Sequence, residues 1–162
     1  MIRHIPYSLF KLMPWKNGRG TTLEIFKFED KFRISQAKIS EAGPFSQFPG
    51  MDRFITVLSG DGIILNGKEL GPLNVHKFSG DENSFAELIG GEVEDFNVFV
   101  KREWGEARVE IKIKKQELNI KADVQTFIYE IKKAPELWVL EPGDTKIFDQ
   151  ESKLIIIYLI VT

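Results

Sequence analysis

Residues 53–70 read RFITVLSGDGIILNGKEL, and this stretch decides the predicted fold. Short apolar runs are separated by glycines, and the last of these breaks is Asn66–Gly67. An Asn-Gly pair between apolar runs is the strongest short-range signal for a two-residue hairpin, because both residues adopt positive φ at low cost. The stretch therefore predicts antiparallel strands joined by tight turns.

The same pattern continues on both sides of this stretch. The pairs Glu29–Asp30 and Gly90–Gly91 lie between further short runs and predict two more hairpins. The run LIIIYLIV, residues 154–161, predicts a strand buried on both faces; it is too short to cross a bilayer, which takes about 20 residues. No long stretch has apolar residues at helical spacing. Short strands at regular intervals predict an all-β sandwich or barrel.

The composition of the chain changes near KREWGEAR, residues 101–108. Glycine and phenylalanine turns are frequent before it, whereas Ile or Val alternates with Lys or Glu after it. This change predicts two β-halves, residues 1–103 and residues 104–162. No low-complexity linker separates them, so we expect the halves to pack as one compact body.

Composition also limits the classes of function. The chain has 162 residues, no cysteine and a net charge of -2. The lack of cysteine excludes disulfides, thiolate zinc sites and cysteine nucleophiles, and it fits a cytoplasmic location. The N-terminus lacks the pattern of a signal peptide. Acidic and basic residues are interspersed without a basic cluster, so neither a nucleic acid nor a membrane is expected as a partner.

The stretch PWKNGRGTT, residues 14–22, suggests a ligand-facing loop. A phosphate-binding loop is not predicted, because the glycines lead into an alternating strand pattern and not into Lys-Ser/Thr and a helix. Asn17–Gly18 is accounted for as a tight turn. A turn alone does not need Trp15, Lys16 and Arg19 around it, so a structural and a ligand-facing role both stay open.

Signals for metal binding or nucleophilic catalysis are weak. The only histidines, His4 and His76, are isolated in the sequence, so we expect no metal site and no cofactor. Ser46 lies in GPFSQFPG, which is not a Gly-x-Ser-x-Gly nucleophile motif. Packing of the loop is the simpler role for this segment.

Strand alternation places polar side chains beside apolar ones on one face of each of several predicted strands. These same-face sets are Thr22 and Glu24; Arg33 and Ser35; Arg53, Ile55 and Val57; and Asp95, Asn97 and Phe99. One interpretation is an ordinary solvated face. The other is the mouth of a small barrel, where guanidinium groups could recognise a carboxylate.

Three motifs, taken together, give a family resemblance. PWKNG, GPFSQFPGMDR and GGEVEDFN follow one another with spacing that resembles the HutD/Ves family of small bacterial proteins. The resemblance covers residues 10–103, and residues 104–162 carry no comparable signature. The chain departs from the family pattern at Arg19, where the family often has glycine, and at Leu23, where it often has arginine.

The resemblance implies a fold and a broad role. It implies a cupin-type jelly-roll barrel, in a bicupin arrangement of two germin-like halves. The family is linked to histidine utilisation or, in the Ves branch, to stress response. A regulatory or sensing role toward an acidic intermediate such as formylglutamate has been suggested for the histidine branch.

The first functional hypothesis is a metal-free cupin that binds a small anionic, carboxylate-bearing metabolite. Arginines would anchor the anion, asparagines would donate hydrogen bonds, and aromatic residues would wall the pocket. The candidate ligand-binding residues are Trp15, Lys16, Asn17, Arg33, Ser46, Phe48, Arg53 and Asn97.

Two alternatives remain. The same pocket could belong to a metal-independent isomerase or lyase with Glu24 or Asp95 as general base. The family motifs could instead form a surface for a homodimer or for another protein partner. The lysines of VEIKIKK, residues 109–115, disfavour pairing at a sheet edge, so self-association ranks last.

Overall fold

The computed structural model describes residues 1–162 and shows an all-β fold, as the sequence predicts. The only helix is a single 3₁₀ turn, Tyr7–Leu9. None of the helical structure is long and apolar enough to span a membrane.

Seventeen strands make up nearly all of the regular structure. The first nine are β1 (Arg3–Ile5), β2 (Lys11–Pro14), β3 (Gly20–Phe28), β4 (Phe32–Ile39), β5 (Gly43–Pro44), β6 (Met51–Ser59), β7 (Ile63–Leu65), β8 (Lys68–Leu70) and β9 (His76–Ser79). The others are β10 (Phe85–Leu88), β11 (Val93–Lys101), β12 (Gly105–Lys114), β13 (Leu118–Lys121), β14 (Gln125–Glu130), β15 (Glu136–Leu140), β16 (Thr145–Phe148) and β17 (Ser152–Val161).

The chain forms two compact units. One is Lys11–Trp104, and the other, here called the terminal unit, combines Met1–Phe10 with Gly105–Thr162. The first ten residues were predicted to belong to the N-terminal half, but the structure assigns them to the terminal unit. The reason is that β1 pairs antiparallel with β15 and satisfies its backbone hydrogen bonds there. A three-residue strand carries no sequence signal for so distant a partner.

The Lys11–Trp104 unit contains two antiparallel sheets. The larger has the order β2-β3-β4-β11-β6-β9, and the smaller has the order β5-β10-β7-β8. A buried apolar cluster draws on both sheets; it includes Ile39 and Ile55 from the larger and Ile63 and Leu65 from the smaller. The core of this unit is thus built from side chains of both sheets, which fixes one face of β4, β6 and β11.

Two of the predicted hairpins are confirmed. Asn66 and Gly67 join β7 to β8 with φ of 50° and 82°, the positive values that a tight two-residue turn requires. Glu29, with φ of 50°, lies in the turn between β3 and β4.

The predicted hairpin at Gly90–Gly91 is wrong. Strand β10 pairs with β5 and β7 in the smaller sheet, whereas β11 pairs with β4 and β6 in the larger one. The segment is therefore a crossing between sheets. Gly90 has φ of 75°, a backbone conformation that favours glycine at this crossing. Two consecutive glycines indicate a sharp turn, but they do not indicate whether the strands before and after that turn pair with each other.

The terminal unit has a five-stranded sheet, β1-β15-β14-β17-β12, and a two-stranded sheet, β13-β16. Residues 154–157 of β17 are fully buried at consecutive positions, which confirms the prediction of a strand covered on both faces. Apolar residues of β17, among them Leu154 and Ile156, pack with Ile128, Leu140 and Phe148 in one cluster.

We expect Gly67→Ala to lower the free energy of unfolding by about 1 kcal/mol, because an L-residue is strained at this φ. No atom lies within 4 Å of the added Cβ, so backbone strain is the only cost. Gly91→Ala is the matched control, since that Cβ also meets open space and Gly91 is not at positive φ. Urea unfolding of both variants measures the difference; equal stabilities would contradict the assigned turn.

Candidate functional site

A cavity of about 450 Å³ lies within the Lys11–Trp104 unit. Ligand pockets commonly have volumes of about 300–1,000 Å³. Every residue predicted to contact a ligand lines this cavity: Trp15, Lys16, Asn17, Arg33, Ser46, Phe48, Arg53 and Asn97. Asp95, one of the two candidate bases, lines it as well.

Three adjacent antiparallel strands, β4, β11 and β6, form one wall of the cavity. On β11, Phe99 lies between Arg33 of β4 and Arg53 of β6. Two residues along, Asn97 lies opposite Ser35 of β4, and Asp95 follows opposite Ala37. Because side chains alternate along a strand, these rows all project from one face of the sheet. Alternation read from the sequence predicts these same-face sets.

Arg53 is the most enclosed cation in the cavity, with 6% of its surface exposed. Its Nη1 donates a hydrogen bond to the Ser46 carbonyl oxygen at 3.3 Å, but its buried Nε has no partner. Burial lowers the pKa of Arg53 to about 10, so the group is still charged at neutral pH. The guanidinium carbon lies 4.6–5.5 Å from the ring centres of Phe45, Phe48, Phe78 and Phe99.

Asp95 is the most buried carboxyl group in the cavity, at 1% exposure. It accepts a hydrogen bond from Asn97 Nδ2 at 2.7 Å and another from the Ala37 backbone. Burial raises the pKa of Asp95 to about 7, although Asn97, Arg53 and the Ala37 amide each favour the charged form. The carboxyl group can therefore gain or lose a proton near neutral pH.

Arg33 and Glu24 form the edge of the site. Arg33 Nε is buried without a hydrogen-bond partner, and the nearest Glu24 oxygen is 3.7 Å away. Glu24 itself does not line the cavity. A β-bulge follows it, because Glu24 pairs with Ser35 whereas Phe26 pairs with Ile34. The structure thus places Asp95, but not Glu24, among the lining residues.

The loop between β2 and β3 serves both as a turn and as part of the lining. Trp15 Nε1 donates to Thr22 Oγ1 at 2.7 Å, which holds the indole in one orientation. Asn17 Oδ1 accepts the backbone N–H of Arg19 at 2.9 Å and so shapes the turn. Arg19 Nη1 donates to the Ala42 carbonyl oxygen at 3.4 Å, and Arg19 is not part of the lining.

Some lining residues were not among the predicted ligand contacts. Ser35, Ala37 and Ile39 follow Arg33 on the same face of β4, so alternation alone was sufficient to find them. Phe45 gives no such signal, because only the fold brings its loop over Arg53. The rest of this set is Thr22, Pro44 and Phe99.

Both histidines lie outside the cavity. His4 Nε2 is 2.9 Å from Glu136 Oε1, and its ring stacks on Trp138 in the terminal unit. His76 stacks on Phe78 at the edge strand β9. No group of three or more His, Cys, Asp or Glu side chains is placed to hold a metal ion.

The HutD family model matches residues 7–156. This chain belongs to the HutD family. An uncharacterised 21.2 kDa protein of the hutC 3′ region from Pseudomonas putida is 38% identical over 109 residues, covering 60% of this chain and 57% of that protein. Protein Ves from Escherichia fergusonii is 35% identical over 121 residues, covering 68% of this chain and 61% of Ves. The chain thus spans less than two thirds of the length of these curated relatives.

Solved structures resemble the HutD-family chain over its full length. HutD from Pseudomonas fluorescens SBW25 is 26% identical with a TM-score of 0.85, and both chains are covered completely. A conserved protein of unknown function from Pseudomonas aeruginosa PAO1 is 24% identical with a TM-score of 0.89, again over all of both chains. The pirin YhhW of Escherichia coli, solved with nickel(II), is 10% identical with a TM-score of 0.68 over 98% of each chain. These likenesses show that the all-β fold of this chain is shared with solved structures.

The pKa of Asp95 predicts a pH dependence of stability. The carboxyl group binds a proton more tightly in the folded protein than in the unfolded chain, because its pKa is about 7 in place of 3.8. Its contribution is therefore largest at acidic pH and is lost as the pH rises toward 7, by about 1 kcal/mol per pH unit.

The control for this prediction is Asp95→Asn, which keeps the shape of the side chain but cannot titrate. We expect the stability of the wild type relative to this variant to increase as the pH falls from about 8 to about 5. Urea unfolding across this range measures it. A difference that does not vary with pH, or that varies with the opposite sign, would show that Asp95 ionises normally.

Proposed function

We propose that the cavity binds a small carboxylate-bearing metabolite and that the protein is a metal-free cupin with a regulatory or sensing role. The observation that carries the proposal is the Arg53 guanidinium, a charged group 6% exposed that lines the cavity and donates one hydrogen bond, to the Ser46 carbonyl oxygen. The N–H groups that this bond does not use can donate to a bound carboxylate in a charge-assisted pair.

The charges around the cavity favour an anion. Arg33 lies in the same row of the cavity as Arg53, and its positive charge contributes to the lowered pKa of Arg53. Asp95 offsets them only in part, because burial raises its pKa to about 7 and so disfavours its negative charge. A bound carboxylate would reduce the repulsion between the two arginines and occupy the row that also contains Phe99.

The aromatic rings around Arg53 suit a small ligand with one charged end. The rings of Phe48 and Phe99 cover part of the guanidinium. The N–H groups of Arg53 that remain are the main polar contact offered to a ligand. Asn97 and Lys16 line the cavity as additional donors. The ligand class is thus a compact acid with apolar or amide groups beyond the carboxylate, such as an acid of histidine degradation.

The relatives support a proposed role for this protein in the cell. One of them is described by its place in the hutC 3′ region, which supports a role beside histidine utilisation. The division into two β units supports a bicupin arrangement of germin-like jelly-roll halves. A cytoplasmic location fits the absence of cysteine.

We expect N-formylglutamate, urocanate or glutarate to raise the melting temperature of the wild type at millimolar concentration, because a ligand that binds only the folded state stabilises it. Glutaramide, the uncharged amide of glutarate, is the ligand control and should produce no shift. Differential scanning fluorimetry measures both. If none of the acids shifts the melting temperature, the proposal of carboxylate binding is wrong.

Arg53→Gln tests the anchor. This variant should lose at least tenfold in affinity for whichever acid binds, because one charge-assisted hydrogen bond is removed. Lys115→Gln removes the same charge from an exposed turn and should bind as the wild type does. Calorimetric titration compares the two, and equal affinities would place the anion away from Arg53.

A second function is favoured by the position and pKa of Asp95. A buried carboxyl group with a pKa of about 7 that lines a cavity is suited to act as a general base, and Arg53 could stabilise the negative charge that forms on the substrate. The reaction class would be a metal-independent isomerisation or elimination next to a carboxylate. Glu24 is the weaker candidate, because it lies outside the cavity.

Deuterium exchange distinguishes binding from this chemistry. If Asp95 is a base, wild-type protein in D₂O should exchange the C–H proton next to the carboxylate of a bound acid, as followed by NMR. Asp95→Asn should still bind the acid but lose exchange, whereas Glu24→Gln should keep it. Binding without exchange by the wild type would leave a binding protein only.

A further inference from the structure

Strand β12 is an unusual sheet edge. It has ten residues, and β17 is its only strand partner. All other edge strands of the larger sheets have two to four residues. The pairing of β12 with β17 runs from end to end without a bulge, and the strand contains no proline. Long regular edges are usually shortened, bent or covered, because their free N–H and C=O groups can pair with another strand.

The charges on β12 alternate in a specific order. Glu106, Arg108, Glu110 and Lys112 occupy successive positions on one face, the face that carries Tyr158 of β17. They read acid, base, acid, base. The opposite face carries apolar residues, including Val109. When two copies of β12 pair antiparallel, the second copy runs in the opposite direction. With this alternating order, each acidic side chain of one copy can then lie opposite a basic side chain of the other.

We propose that β12 pairs antiparallel with β12 of a second copy of the chain, with the two-fold axis at Val109. A two-fold axis perpendicular to the sheet sets the two copies of one residue directly opposite each other. Each possible register is therefore named by the residue that faces its own copy across the axis. With Val109 on the axis, Arg108 faces Glu110 and Glu106 faces Lys112, each twice. Every charged pair within residues 105–113 then has opposite signs, which stabilises a sheet pairing.

The neighbouring registers are unfavourable. An axis at Glu110 places the two Glu110 side chains together and sets Arg108 against Lys112. An axis at Arg108 places the two Arg108 side chains together and sets Glu106 against Glu110. Like charges directly opposite each other destabilise a sheet. The charge order therefore disfavours both adjacent registers. An axis at Ala107 also sets Glu106 against Arg108, but it pairs only residues 105–109, whereas the axis at Val109 pairs residues 105–113 and sets Lys112 against Glu106.

Two of the charged side chains are already held in place. Tyr158 Oη donates to Glu110 Oε1 at 2.6 Å, and the Arg108 guanidinium lies 4.5 Å from the centre of the Tyr158 ring. Both groups therefore lose less side-chain freedom when they meet a second copy. Glu106 is exposed and has no such contact, so it can be changed without disturbing the fold.

A cysteine placed on the axis tests the register. The natural chain has no cysteine, so Val109→Cys introduces a single thiol. In the proposed dimer the two residues face each other at a Cα distance of about 4.5–5.5 Å, which suits a disulfide. Ile113→Cys is the control: it is more exposed, but its two copies would lie roughly 26 Å apart along the strands. We expect a covalent dimer from the first variant alone; no cross-link, or equal cross-linking, overturns the register.

Charge reversal tests the partner. Light scattering after size exclusion should show a dimer for the wild type. Glu106→Lys alone and Lys112→Glu alone should each weaken it at least tenfold, because each creates two like-charged pairs. An equimolar mixture of the two variants should form a heterodimer, in which both pairs regain opposite signs.

The mixture also guards against misfolding, because only two folded variants can restore the dimer. A monomeric wild type, singly reversed variants that dimerise normally, or a mixture that stays monomeric would each overturn self-pairing at β12. Ligand binding by the Lys11–Trp104 unit is measured separately, so failure here does not affect the proposed function.

Discussion

The register of β4, β11 and β6 is the constraint on which the rest of the site depends. It aligns Arg33, Phe99 and Arg53 in one row and sets Asp95 two rows further along. A slip of one residue would turn these groups to the opposite face and bring apolar residues such as Val98 into the cavity. The register is secured because β11 is buried along nearly all of its length and pairs on both sides. The site is therefore specified by the same contacts that specify the core.

That register brings together charges which are individually unfavourable. Burial disfavours the charged forms of both Arg53 and Asp95, and the charge of Arg33 lowers the pKa of Arg53 further. Folding tolerates this arrangement because each group is partly compensated: Arg53 by aromatic faces and one carbonyl, Asp95 by Asn97 and a backbone amide. Such partly satisfied groups are typical of functional sites, where the missing contacts belong to a ligand or to chemistry.

The sequence predicted the parts of this structure that depend on local pattern. Asn66–Gly67 gave the correct hairpin because the turn geometry is decided by two residues, and strand alternation gave the faces that carry Arg33, Arg53 and Asn97. Prediction failed where a distant partner decides: the Gly90–Gly91 turn crosses between sheets, and β1 joins a strand more than 130 residues later. The bulge after Glu24 was equally invisible, since an extra residue in one strand shows only against its partner.

The pairing of β1 with β15 has a consequence for how the chain is made. Arg3–Ile5 leave the ribosome more than 130 residues before their partners at Leu137–Val139. Meanwhile Lys11–Trp104 contains all the strands of its own two sheets and can fold as it leaves the exit tunnel. Residues 3–5 must therefore remain unpaired until β15 has been made, and their pairing with β15 is a long-range step.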